Sequence, residues 1–408
     1  MIFRLYISFI LALLLAGCTT FLAPGQVPVP PLDKQQVKVV TIPLPVIATS
    51  PNEGITYGGL TAFLLHNEKD EVCSLLAPQV NQNDNFGISS TLYGAYYPTP
   101  DRSFEFNLSK STKVNEDYEL KVRDQSLMNR ELELNLFLYT FSDGSARFYG
   151  FQSWSRRDKE TNYADQETGF TLTAGYPVLE HTQFMIGERY RDVGIGQGAV
   201  TKVPFIRERF PAVPGVNGFT AHAQMVSLIY STLDSPTIPT NGVRAKVAFE
   251  NSATIFGSSA NYRHYDGEVK GYLPLEDGRY ISVARLAYSQ TLGEHVPFLE
   301  RSVLGGENTL RGYGRNRFID SSYLLLNLEE RIRLFRWEIF GVTADWELAP
   351  FIDFGGVMKS MVDASANAFE FNPGVGFRAV IWPNIVGRID VGVGAEGPAV
   401  FVGLGYPF

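Results

Sequence analysis

The fold this sequence predicts is all-β: a transmembrane antiparallel β-barrel of about sixteen strands, in the size range open to single-chain bacterial barrels. Three observations predict it. The 408 residues are 45% apolar but only 19% charged, and Phe (29), Tyr (20) and Gly (38) are abundant, which suits a wall with lipid on one side and water on the other. After Pro51 the chain breaks into segments of about ten residues that alternate apolar and polar positions, separated by turn residues. The final segment is apolar on every second residue and ends in Phe408.

The N-terminus sets the compartment. Arg4 is followed by an apolar run from Leu5 to Ala16, too short to span a bilayer, and then by Leu15-Ala16-Gly17-Cys18. Residues 1–17 are read as a lipoprotein signal peptide, because the last four residues resemble a lipobox whose cysteine is acylated. Cys18 is the expected lipidation site, and Thr19 behind it favours the outer membrane over the inner one. Residues 18–51 carry Pro24, Pro28, Pro30, Pro31, Pro43, Pro45 and Pro51, and are read as a lipidated proline-rich linker. Residues 52–408 are the barrel. Cys73 is the other cysteine, so no intramolecular disulfide is expected. The formal charge of −8 becomes −9 without Arg4 (34 basic, 43 acidic), which argues against a nucleic-acid partner.

Candidate strands start near Gly54, Phe86, Arg102, Val114, Glu131, Glu167, Thr182, Gly218, Val243, Ala260, Gly278, Ser321, Val342, Phe369, Ile385 and Ala399; Glu71–Val80 and Arg147–Phe151 stay open as strand or loop, so the count is open by two. The segment Tyr323–Leu334 shows the pattern best. Leu324, Leu326, Leu328, Ile332 and Leu334 fall on one face, and Asn327, Glu329, Arg331 and Arg333 on the other. In a barrel the second face meets a wet lumen, which makes Glu329 and Arg331 candidate lumen charges. In the last segment Val400, Val402, Leu404, Tyr406 and Phe408 share a face, with Gly403 and Gly405 between them. Left as the edge of a soluble sheet such a strand would aggregate, so closure onto the first strand is expected.

Two long connections interrupt the pattern, 194–217 and 292–320. The second contains Leu304-Gly305-Gly306-Glu307-Asn308-Thr309-Leu310-Arg311-Gly312-Tyr313. Its glycines permit a sharp turn, on which Arg311 either meets solvent or folds back to clamp a carboxylate. Asp353, alone in Phe351-Ile352-Asp353-Phe354-Gly355, is an available partner, since an unpaired charge there would be costly.

Gly-Gly-x-x-x-Leu-Arg-Gly-Tyr and Phe-x-Asp-x-Gly resemble the loop and wall motifs of the BamA/TamA bacterial surface antigen family. Further blocks match in order: Ser50–Gly54 with Tyr57-Gly58-Gly59, Arg147–Gly150 with Thr161-Asn162-Tyr163, Leu233–Gly242, and Asn327-x-Glu329-x-Arg331. The resemblance implies an extracellular loop folded into the barrel and locked by Arg311 on Asp353, with Gly305, Gly306, Gly312 and Tyr313 completing its turn. It further implies an outer-membrane protein that aids assembly or translocation, with unfolded or nascent outer-membrane proteins, or a secreted client, as partners. Other assembly proteins are implied too, and a seam between first and last strands that Gly403 and Gly405 would soften; Phe408, the aromatic end of the last strand, resembles the C-terminal signal by which outer-membrane barrels are recognised for assembly. The chain departs from the family's pattern in carrying only the proline segment where full-length relatives carry POTRA domains. An accessory or structural barrel without independent insertase activity, either a small-solute pore or a partner of an assembly complex, is therefore the alternative expectation. No cofactor, metal or enzymatic activity is expected, because His66, His181, His222, His264 and His295 are scattered and fit no nucleophile or metal spacing.

Overall fold

A period of two gives each strand two faces that meet different surroundings. The computed structural model describes residues 38–67, 72–99, 101–153, 155–339, 342–382 and 385–408; the expected signal peptide and Cys18 lie outside them. Among the described residues an antiparallel sheet of eighteen strands closes on itself. Its wall runs through β1 (Val39–Ser50), β2 (Gly54–His66), β3 (Val72–Asn83), β4 (Gly87–Thr99), β5 (Arg102–Ser111), β6 (Glu116–Leu127), β7 (Leu132–Phe148), β8 (Thr161–Leu179) and β9 (Thr182–Gly196). It continues through β10 (Phe219–Ser231), β11 (Gly242–Ser252), β12 (Tyr262–Leu275) and β13 (Tyr280–Gly293). A long loop carrying the short hairpin β14 (Ser302–Leu304) and β15 (Phe318–Asp320) follows. The wall then resumes with β16 (Ser322–Ile339), β17 (Val342–Met358), β18 (Glu370–Ile381), β19 (Ile385–Gly394) and β20 (Gly397–Leu404).

Each wall strand pairs with its neighbour in sequence, and β20 returns to β1. With an even number of strands, Val39 and Leu404 lie at one end of the wall, here called the terminal end. The long loop springs from the other end.

The alternation is inside-out relative to a soluble sandwich. On β16 Leu328 is 43% exposed to the surroundings, while its neighbours Asn327 and Glu329 and the nearby Arg331 are buried inside. β18 and β19 repeat this: Val375, Phe377 and Ile389 point out, whereas Arg378, Arg388 and Asp390 are buried. The inner face also carries some apolar patches. Leu325, buried among the polar positions of β16, packs with Leu304, Leu310, Tyr313, Phe318 and Val357 under the loop.

Three expectations change. The wall has eighteen strands rather than about sixteen, the added pair being β1 and β3; of the two segments left open, Glu71–Val80 falls in β3 from Val72 onward, whereas Arg147 and Phe148 only end β7. β1 lies within the segment read as linker, so that reading fails from Val39 onward. The prolines misled it, because an edge strand accepts proline where its missing N–H faces the unpaired side. Finally, the last strand does not run to the C-terminus. β20 stops at Leu404, Gly405 adopts φ +78°, and Tyr406 and Phe408 turn into the lumen instead of extending the outer apolar face. Pro407 offers no N–H to continue the ladder.

Candidate functional site

The site has two parts, a lock across the lumen and a seam in the wall. The lock starts from the turn in the long loop. Gly305 and Gly306 have φ of +111° and +103°, where a side chain would be strained. The turn closes through Gly306 N donating to Tyr313 O (3.1 Å) and Gly305 N to the Thr309 hydroxyl (2.9 Å). Gly312 passes so near β19 that an added Cβ would sit 2.6 Å from Gly394 N, so the backbones meet there only without a side chain. Tyr313 anchors the turn by donating its hydroxyl to Glu370 and packing its ring edge-on to Phe318.

So presented, Arg311 is fully buried. Its Nε and Nη2 donate to Asp353 Oδ2 and Oδ1 at 2.9 and 2.8 Å, and its own backbone N–H donates to Oδ2 at 3.0 Å. Nη1 donates to Glu329 Oε2 at 2.8 Å. The guanidinium lies flat on Phe351, 3.4 Å from the ring centroid. The sequence thus supplied the right pair, and the clamp rather than the solvent-facing alternative is what forms.

Around this pair stand the expected lumen charges Glu329 and Arg331, together with Asn327, Arg378, Arg388 and Asp390, which the sequence reading did not assign to the site. Asn327 donates to Asp353 Oδ1 (2.7 Å) and to Thr309 O (2.8 Å), tying wall to loop a second time. Arg331 pairs with Glu329 at 3.2 Å, and Arg378 bridges Glu329 and Asp390 at 3.2 and 2.8 Å. Arg388 joins Asp390 to Glu307 of the loop, at 2.9 and 2.7 Å. Four arginines therefore alternate with carboxylates on facing strands, so few of these buried charges lack a counter-charge. Arg378, Arg388 and Asp390 each stand singly in apolar runs, the same signal that exposed Asp353.

A second attachment of the loop was also missed. Glu300 is buried and takes Arg189 at 2.7 Å, Arg191 at 3.1 Å and the Tyr262 hydroxyl at 2.5 Å. Burial works against its charge, while Arg189 and Arg191 hold its carboxyl down at about 2. The loop is thus fixed to β9 and β12 as well as to β16 and β17.

From the terminal end the lumen is filled by the chain's own tail. Tyr406 stacks on Arg331, 3.4 Å from guanidinium to ring centroid, and donates to Glu347 at 2.9 Å. Phe408 lies 5.5 Å from Arg311 and 5.6 Å from Arg285. The connection between β10 and β11 joins them, with Ile238 buried beside Tyr406 and Pro239 O accepting from Arg331. Phe408 therefore belongs to the lumen packing rather than to the end of the last strand, where it was expected. Gly405 is the turn that sends it there, and Gly403 faces inward, 3.5 Å from Arg388 if given a Cβ.

The seam is the second part. Every other junction of the wall carries a ladder along much of its strands; between β1 and β20 the register holds one pair, Thr49 with Val400. A cavity of about 170 Å³ lies just inside it, lined by Thr49, Ser50, Val400 and Val402 and by Glu307 and Arg315 of the loop. Among the described residues no three His, Cys, Asp or Glu are grouped to hold a metal.

Solved structures share this architecture at low identity. BamA from Haemophilus ducreyi lacking POTRA domains 1–3 superposes with a TM-score of 0.53 at 14% identity, over 89% of this chain and 74% of that one. CdiB from Escherichia coli gives 0.51 at 10% identity, over 90% of this chain and 62% of CdiB, so this chain spans less than two thirds of that relative. At such identity the likeness concerns the fold alone. The sequence carries the family: the Omp85 superfamily domain matches residues 102–395, well over half of it, and the chain belongs to the Omp85 superfamily.

Proposed function

We propose that this barrel aids the insertion and assembly, or the translocation, of proteins at the outer membrane of a Gram-negative bacterium. Its partners on this reading are unfolded outer-membrane proteins or a secreted client. The observation that carries it is the seam of one ladder pair in an otherwise fully hydrogen-bonded wall. In lipid an unpaired strand edge is costly, so it is a place where an incoming strand gains most by pairing. The lumen supports the same reading, since the loop and the tail pack into it from its two ends. Acylation of Cys18 would add a lipid anchor, and the mass of the mature N-terminal peptide tests that part.

The test of the activity is the folding of a urea-denatured outer-membrane protein in liposomes that hold the purified, folded barrel. Faster folding than in empty liposomes is the expected result, with the gain lost in Arg311→Ala. No gain from the folded wild type would overturn the reading in favour of an accessory barrel that acts only with other assembly proteins.

A further inference from the structure

The two edges of the seam are not equivalent. In an antiparallel strand the N–H and C=O of one residue point to the same side, and successive residues alternate sides. Lys38 O accepts from His66 N, so even-numbered residues of β1 face β2, and the unshifted register carries that parity to the turn. The odd-numbered residues, Val39 to Thr49, therefore present their backbone groups to the seam. Two of them are Pro43 and Pro45. Between Thr41 and Ile47, a stretch of about 20 Å at ~3.4 Å per residue, this edge has no N–H to give.

On the opposite edge the donors run unbroken after Pro398 at the start of β20. Gly405 N donates to Val386 O, so odd-numbered residues of β20 face β19 and even-numbered ones face the seam. Val400, Val402 and Leu404 thus offer both donor and acceptor along it. Their side chains point outward, with Val402 46% and Leu404 58% exposed. If the pair Thr49–Val400 were extended, Ile47 would meet Val402, Pro45 would meet Leu404 and Pro43 would meet Tyr406. The prolines fall at the positions where the seam would otherwise zip shut. At the same point Gly405 turns the chain away into the lumen.

We propose that β1 is a guard strand whose Pro43 and Pro45 keep the seam from closing, and that β20 is the edge that receives a client. The client is an extended segment of an unfolded outer-membrane protein with alternating apolar side chains. It would pair with Val400, Val402 and Leu404 and turn its apolar face to the lipid beside theirs. This inference rests on the function proposed above and goes further by naming the receiving edge.

A photoreactive benzophenone residue placed at Ile47 or at Val402 of the full-length, liposome-reconstituted barrel reads which edge is used. The probe is a urea-denatured outer-membrane barrel protein. Adducts at Val402 should exceed those at Ile47 by about tenfold, the effect of one to two missing hydrogen bonds. Pro43→Val with Pro45→Val restores both donors, lets β1 zip onto β20, and should cut the Val402 adduct by about tenfold. Val402→Pro, assayed with the probe at Leu404, should abolish capture while the barrel stays folded. Adducts chiefly at Ile47, or a Val402 adduct unchanged by the double substitution, overturn the inference and leave the proposed function standing. Faster client folding without adducts at either edge does the same. No faster folding and no adduct overturns both.

Discussion

The wall around β17 and the wall at β1–β20 use the same structural element to opposite ends. Around β17 the ladders to β16 and β18 run along most of the strand, and the inner face adds Asp353, Glu347 and the charges that hold the loop. At the seam one ladder pair remains, β1 carries prolines toward the gap, and β20 ends early. The difference teaches that stability in this barrel is placed deliberately. Backbone ladders and buried ion pairs concentrate on β16 to β19, and only the junction of β1 with β20 beyond them is left with a single pair.

The largest expected effect comes from the rigid side. Arg311→Ala leaves Asp353 buried without its cation and takes one of three arginines from Glu329, at a cost of about 3–5 kcal/mol. Urea unfolding should show that loss, and planar bilayers should show a conductance that the wild type lacks. Arg311→Lys keeps the charge but not the two-pronged contact with Asp353 and should fall between the two. A loop that stays protease-resistant in Arg311→Ala would break the comparison, since something else would then be holding it.

Glu300→Gln should cost less, about 1.5–3 kcal/mol, because the amide keeps a hydrogen bond to Tyr262 or Arg189 while losing the charge. Combined with Arg311→Ala, it distinguishes two independent fastenings from one cooperative loop. Additive costs mean independence, and a combined cost short of the sum means that releasing one end frees the other.

At the seam the effect shrinks again. Thr49→Pro removes the N–H at the single ladder pair and should cost no more than about 1 kcal/mol. Ile352→Pro, in a strand paired on both sides, should be far more damaging to folding. Equal costs at both sites would mean that the seam is as firmly closed as the rest of the wall.

Much of this was legible in the sequence. The barrel class follows from alternation, which a strand converts directly into an inner and an outer face. The Arg311–Asp353 pair follows from a buried charge needing a partner and from the resemblance to a known loop. What was not legible depended on relations between distant segments. β1 reads as a linker because proline penalises a paired strand, and only the neighbour on one side shows that the penalty is not incurred. Tyr406 and Phe408 continue the apolar alternation of β20 perfectly, and nothing local shows that Arg331, Arg311 and Arg285 will draw their rings inward. Glu300 sits in a loop whose sequence gives no hint of Arg189 and Arg191 on a strand some 110 residues earlier.

The smallest effect is one of pH, and it isolates Glu300. Its carboxyl is held at about 2, below the ordinary 4.5, by Arg189 and Arg191 acting against burial. A lowered folded-state value means that the charged form stabilises the fold. Its contribution is complete above about 4.5 and is lost as pH falls from there toward about 2. The stability gap between wild type and Glu300→Gln should therefore be constant from neutral pH to about 5, then narrow on further acidification, because Gln does not titrate. Urea midpoints of both proteins in detergent between pH 7 and pH 3 measure it. A gap that stays constant to pH 3 would show that Arg189 and Arg191 do not stabilise the Glu300 charge, and would leave the electrostatic fastening of the loop to other pairs such as those of Arg311 and Arg388.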